Sequence, residues 1–490
     1  MRKHPGVAAV LLLTSVLAAA PQASESPVDR LIAALLGSNA MTADLQELTD
    51  VIGGRATGSP SNERAIEWAM AVFRAAGVEA RREPFDMPAR WLERSATATV
   101  SGAASFAPRV AAMPFSAATA STGLRAPLVD GGTGSDADLA RLGATIRGAW
   151  VLVQTPVLAT LDDLFAEYTA ASATEARLLP AGPAGLVYMS SRSHDLLYRH
   201  NASRGLDNVH PMLIMEREEA ARALRMIRGG STLSLTAAIE LEPGGPYQSA
   251  NVIGEIHGRD RPKEIVLIGA HLDSWDLGTG ANDNGCNVAM LLDIARQMRR
   301  LGIQPRRTIR FALFNGEEQG MFGSWAYTRA HGDELDRHVM ASSYDVGSGR
   351  INGFFTNGRP ALLSLVEGAL GAVGGLGPFT QLDAPIVGTD NFDFMLEGVP
   401  NVVANQESAN YGPSYHSRAD TFDKVDLRQL RLNAAVAASV TWAFAEMDAA
   451  LPRQSRAEVE ALFKNSDLEA QMRGMGLWKD WAEGHRGRAK

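Results

Sequence analysis

Residues 271–285 read HLDSWDLGTGANDNG. They follow EIVLIGA, a short apolar run that reads as a buried strand. The chain leaves that strand and at once presents one histidine and three aspartates among glycines. A solvated loop would explain a single acidic residue. A metal site at the carboxyl edge of a sheet would explain the group, because ligands in open α/β sheets sit beyond the strand ends. Two further strand-like runs carry the same feature. TIRFALF leads into NGEEQG, with Glu317 and Glu318, and HVMASSYDV ends on Asp345. A later loop, YGPSYHSRAD, supplies His416.

The surrounding pattern sets the fold class. NVAMLLDIARQMRRLG places Val288, Leu291, Leu292, Ala295 and Met298 on one helical stripe. AIEWAMAVFRAAG groups Ile66, Met70, Val72 and Phe73 and stops at Gly77. VPNVVANQ reads as a strand and residues 426–451 as a long helix. Apolar strands alternating with helices predict an α/β fold: a mainly parallel mixed sheet, covered by helices on both faces. Between the two helical regions the texture differs. APLVDGG, GAWVLVQTP, AGLVYMSS, PMLIMERE and STLSLTAAIELE are short strands separated by turns, with a helix at Glu218–Gly230. They predict a β-rich module inserted at 121–245, anchored on the sheet-bearing body at both ends and narrowing the entrance to its strand ends. The parts are then a leader at 1–23, a first portion of that body at 24–120, the insert, a second portion with the acidic strand ends at 246–452 and a charged helical tail at 453–490.

The leader, MRKHPGVAAVLLLTSVLAAAPQASES, has a basic start, an apolar run and small residues before and after a proline. That layout predicts a secretory signal peptide and an exported protein, periplasmic or secreted. The apolar run is too short for an ordinary span, and no cysteine lies near Ala20, so no stable membrane anchor is expected. Net charge is −8, with no long basic run before the terminal GHRGRAK, which speaks against a nucleic-acid partner. The single cysteine, Cys286, reads as a small buried side chain. A homodimer is left open.

Two histidines and several carboxylates at strand ends suit zinc, with other divalent metals admissible. Asp283 follows His271 by 12 residues, Glu318 follows Asp283 by 35, and Asp345 follows Glu318 by 27. With HLDSWDLGTG, PRRTIRFALFNGEEQG, GTDNFDF and YHSRADTFDKVD, this pattern resembles the co-catalytic di-zinc exopeptidases, and within them the carboxypeptidase Q branch. The resemblance implies two zinc ions per chain. His271 and Asp345 would bind one, Glu318 and His416 the other, and Asp283 would bridge them. Glu317 would be the general base to a metal-bridging hydroxide. Asp273 would orient the His271 imidazole, and the peptide bond after Asp283 would be cis. Tyr415 is a candidate for stabilising the oxyanion, and Asp390 and Asn391 for lining the substrate pocket. The insert resembles a protease-associated domain. Peptides or dipeptides are the implied substrates, with the terminus recognised left open. The competing reading is a glutaminyl-cyclase-like aminoacyltransferase holding a single zinc.

Overall fold

The computed structural model describes residues 25–37, 39–242 and 244–489. The leader expected at 1–23 lies outside the described residues. Strand β1 (Glu79–Met87) comes first. Seven strands follow in the insert: β2 (Glu93–Gly102), β3 (Val110–Ala112), β4 (Leu124–Asp130), β5 (Trp150–Val153), β6 (Gly185–Met189), β7 (Met212–Met215) and β8 (Leu233–Leu241). The chain then returns through β9 (Tyr247–Ile256), β10 (Arg261–His271), β11 (Arg307–Phe314), β12 (His338–Ser343), β13 (Ile351–Phe355) and β14 (Asn401–Gln406).

The main sheet runs β1-β9-β11-β10-β12-β14-β13. Its central four strands, β11 to β14 through β10 and β12, are parallel, and the pairings outside them are antiparallel. The central strands put apolar residues on both sides, because both faces are covered. Val266, Ile268 and Ala270 of β10 and Ile309, Phe311 and Leu313 of β11 enter one core. Against them pack helices Pro27–Leu36, Pro60–Ala75, Cys286–Arg300 and Leu427–Glu446. The alternate residues, Ile265, Leu267, Ala312 and Phe314, enter a second core with Tyr327 and Phe394. Burying a side chain of this size stabilises by roughly 1.5–3 kcal/mol. The helix ends follow local chemistry. Ser59 caps one helix through Asn62 N with Pro60 in its first turn, and Asp426 caps the last through the amides of Arg428 and Gln429. Cys286 is free and buried, as its apolar neighbours suggest.

The insert forms its own sheet, in the order β2-β8-β4-β5-β6-β7-β3. All five strands read from the sequence are present, but the boundary expected at residue 121 is too late. β2 and β3 belong to this sheet, so it begins at Glu93. β2 is an edge strand of small polar residues in which only Ala98 and Val100 are buried, which leaves little apolar pattern to read. The insert also holds a long helix, Leu161–Leu178. The two crossings between the sheets are tied together: Glu242 N donates to Leu92 O and Arg90 N to Gly245 O.

The tail folds into helices Arg456–Asn465, Leu468–Gly474 and Trp478–Glu483. Val459, Phe463, Met472, Leu477 and Trp481 pack on Met321, Phe392 and Leu396 of the body. Arg486, buried at 1% exposure, pairs with Asp393 at 2.7 Å and donates to the carbonyls of Gly320 and Met321. Among the described residues no helix is long and apolar enough to cross a membrane.

Candidate metal centre

Register brings the acidic strand ends together. Gly269 of β10 pairs with Ser343 of β12, so Asp345, two residues on, comes level with His271. His271 itself pairs with Phe314, so the loop bearing Glu317 and Glu318 opens beside it. The 271–285 segment is held by two remote side chains. Buried Arg55 donates to the carbonyls of Leu272, Thr279 and Gly280. Burial pulls its pKa down to about 10, against Asp420 and the site carboxylates. Asp420 accepts from the amides of Asn282 (2.7 Å) and Asp283 (3.1 Å), which fixes the turn carrying Asp283. The Asp283–Asn284 peptide bond is cis. Gly280 sits at φ +63°, and a Cβ there would lie 2.3 Å from the Ser274 Cβ. Gly280→Ala is therefore expected to destabilise the protein by about 2 kcal/mol or more, read as a lowered urea midpoint with an unchanged slope.

Two ligand sets result, His271/Asp283/Asp345 and Asp283/Glu318/His416. In each, the potential ligand atoms lie within 4.8 Å of one another. Asp283 belongs to both. Its Oδ1 is 3.2 Å from His271 Nε2 and its Oδ2 is 3.3 Å from His416 Nε2. Asp345 Oδ1 approaches His271 Nε2 to 2.9 Å, and Glu318 Oε2 approaches His416 Nε2 to 2.8 Å. The other nitrogen of each ring faces a carbonyl: His271 Nδ1 donates to Asp273 O (3.0 Å) and His416 Nδ1 to Arg199 O (3.1 Å). A carbonyl only accepts, so Nδ1 carries the proton and Nε2 turns its lone pair toward carboxylate oxygens. Two lone pairs facing each other repel, and a cation between them converts the contact into attraction. Ligand atoms about 2.0–2.1 Å from one tetrahedral zinc stand roughly 3.3 Å apart. The observed separations of 2.8–3.3 Å suit such an ion in each set.

The electrostatics point the same way. Burial raises Glu317, Glu318 and Asp390 well above the ordinary carboxylate range, and neighbouring carboxylates add to the shift. Burial pushes His416 down to about 4. The same burial acts on His271, but Asp345 and hydrogen bonds to Asp273 and Asp283 outweigh it and its pKa rises, because without a cation a proton on Nε2 is what offsets those carboxylates. This is a dry concentration of negative charge, the setting that bound divalent cations neutralise.

Residues 251–441 match the family model described as Peptidase family M28. This is a peptidase family M28 domain. The chain is similar to carboxypeptidase Q of Bos taurus, at 27% identity over 83% of this chain and 85% of the bovine one. It superposes on the crystal structure of a peptidase M28 precursor from Shewanella amazonensis with a TM-score of 0.78 and 27% identity, covering 87% of this chain and 98% of the other. A zinc aminopeptidase from Bacillus subtilis shares the fold, with a TM-score of 0.66 at 21% identity over 83% and 95% of the two chains. That domain makes the chain a metallopeptidase.

Within the M28 domain the remaining candidates take different places. Asp273 meets His271 through its backbone carbonyl. Its carboxylate stands 3.7 Å from Nδ1 and instead accepts from Thr57 Oγ1 at 2.6 Å. Glu317 is half-buried on the cavity wall, and no group among the described residues hydrogen-bonds its carboxylate. Tyr415 lies flat on His416, ring centroids 3.6 Å apart, with its hydroxyl 3.3 Å from that of Tyr168 in the insert. Asp390 and Asn391 do not line the cavity, contrary to expectation. Both are buried, and Asn391 Nδ2 is tied to Ile386 O and Asn401 Oδ1.

Other residues of the site carry no motif. Arg199 of the insert is buried against Asp276 (2.9 Å) and Glu93 (2.6 Å), and its carbonyl holds His416. Trp275 N donates to Glu318 Oε1. The cavity beside the metal ligands has a volume of about 460 Å³. Its wall includes Tyr168 and Leu206 from the insert and Met475 and Leu477 from the tail.

Proposed function

We propose that this chain is an exported zinc exopeptidase that binds two zinc ions and hydrolyses dipeptides or short peptides. The observation that carries the reading is Asp283, whose two oxygens each face a different histidine at 3.2 and 3.3 Å. A bridging carboxylate holds two cations close and offsets their repulsion. The relatives, a carboxypeptidase Q and a zinc aminopeptidase, support the substrate class and the metal. They differ in the terminus they name, and this reading leaves the direction to experiment.

Bound zinc would supply a Lewis acid for the scissile carbonyl and lower the pKa of a water to near neutrality. The chain's own residues do the rest. Glu317 takes the proton of the attacking water on its unpaired carboxylate and passes it to the leaving amine. Burial raises its proton affinity, which suits the first of these transfers, taking the proton from water. Insert and tail wall the cavity, and its volume fits a short peptide and excludes the middle of a folded chain. The leader at 1–23 gives the export half of the reading.

Metal analysis and a dipeptide panel test this together. Two zinc ions per chain are expected, against one for a cyclase-like aminoacyltransferase. Free dipeptides should be cleaved, and blocking one terminus should abolish cleavage, which names the terminus read. One zinc per chain with no hydrolysis of any member would overturn the proposal.

A further inference from the structure

We propose that Gln319 and Asn201 form an amide clamp that holds the peptide main chain of the substrate beside Glu318; this rests on the peptidase reading above. Gln319 follows the Glu317–Glu318 pair directly and lines the cavity at 6% exposure. Among the described residues neither its amide oxygen nor its amide nitrogen has a hydrogen-bond partner. Asn201 reaches the same wall from the insert. Its Nδ2 donates to the backbone carbonyl of Glu318 at 2.9 Å, which holds the carboxamide and leaves Oδ1 buried, with no partner among the described residues.

Buried amides are normally satisfied, and leaving one unmade is costly. Here two unsatisfied carboxamides lie on one cavity wall next to a metal-ligand carboxylate. Between them they hold free acceptors and a free NH₂ donor just beneath the cavity surface, which a turn of the carboxamides brings to a bound peptide. A peptide unit presents one N–H and one C=O, the complementary set. Both groups are neutral, so they select for an amide backbone and do not read the charge of a terminus. The loop bearing Gln319 is also braced from behind, since the tail's Arg486 donates to the carbonyls of Gly320 and Met321.

The test compares wild type with Gln319→Met, a variant of similar shape without the amide, as full-length zinc-loaded protein. The probes are trialanine and its analogue with an ester in place of the non-scissile amide. For Gln319→Met, KM for trialanine is expected to rise about tenfold, equivalent to about 1.4 kcal/mol. Its kcat should stay within about threefold and its zinc content should match wild type. On the ester analogue the two proteins should differ far less. An unchanged KM, or loss of zinc from the variant, would overturn the clamp, the latter by making Gln319 a mere support of Glu318. Binding of trialanine, followed through tryptophan fluorescence with Trp325 on the cavity wall, keeps the two proposals apart. A wild type that binds but does not hydrolyse sinks the peptidase reading alone. Equal affinity of the two proteins, or no binding by either, sinks the clamp.

Discussion

Glu317→Gln is expected to keep both metals and to hydrolyse peptides at least about a hundredfold more slowly than the wild type. The amide keeps the shape of the side chain but has no carboxylate to accept a proton. Metal content should hold because Glu318, not Glu317, approaches His416, at 2.8 Å. The neighbouring substitution supplies the contrast: Glu318→Gln should lose metal from one site. Kinetics and metal analysis on the same preparations decide the matter. If Glu317→Gln lost metal and Glu318→Gln did not, the roles of the pair would be reversed.

Asp283→Asn should be worse than either. Both oxygens of Asp283 are used, one toward each histidine. An amide can offer oxygen to only one side and turns an NH₂ toward the other. It also removes the negative charge that two adjacent cations need between them. Breaking a buried charge pair costs about 3–5 kcal/mol, so metal affinity should fall by more than about a hundredfold. Metal content should drop below two per chain, and activity should fall further than in Glu317→Gln. A variant retaining two tightly held ions would show that Asp283 is not a bridge.

Much of this site was legible in sequence because its ligands sit where buried strands stop. EIVLIGA, TIRFALF and HVMASSYDV are mostly apolar, since the sheet is covered on both faces, and each ends in a loop that carries candidate ligands. What escaped reading acts through backbone atoms or long sequence separations. Arg199 orients His416 by a carbonyl, which any residue type provides, so no motif marks it. Arg55 and Asp420 hold the 271–285 loop from more than a hundred residues away. The first strand of the insert is an exposed edge with little apolar signal. The tail reads as charged, yet its sparse apolar residues face one another and the body. Asp390 and Asn391 were placed on the pocket by motif and are buried behind it instead.

The grip of Arg199 on His416 also bears on the order in which the molecule is made. Arg199 N donates to His416 O, His416 Nδ1 donates to Arg199 O, and Arg418 N donates to Leu197 O. These bonds join segments 217 residues apart in the chain. Contacts of that separation close late, because the loop between them must first be ordered. The His271/Asp345 pair depends only on neighbouring strands of the main sheet. The Glu318/His416 pair waits for the insert to dock. If each ligand set holds one ion, as proposed, the second is complete only once the insert has docked, so full metal occupancy would report completed assembly.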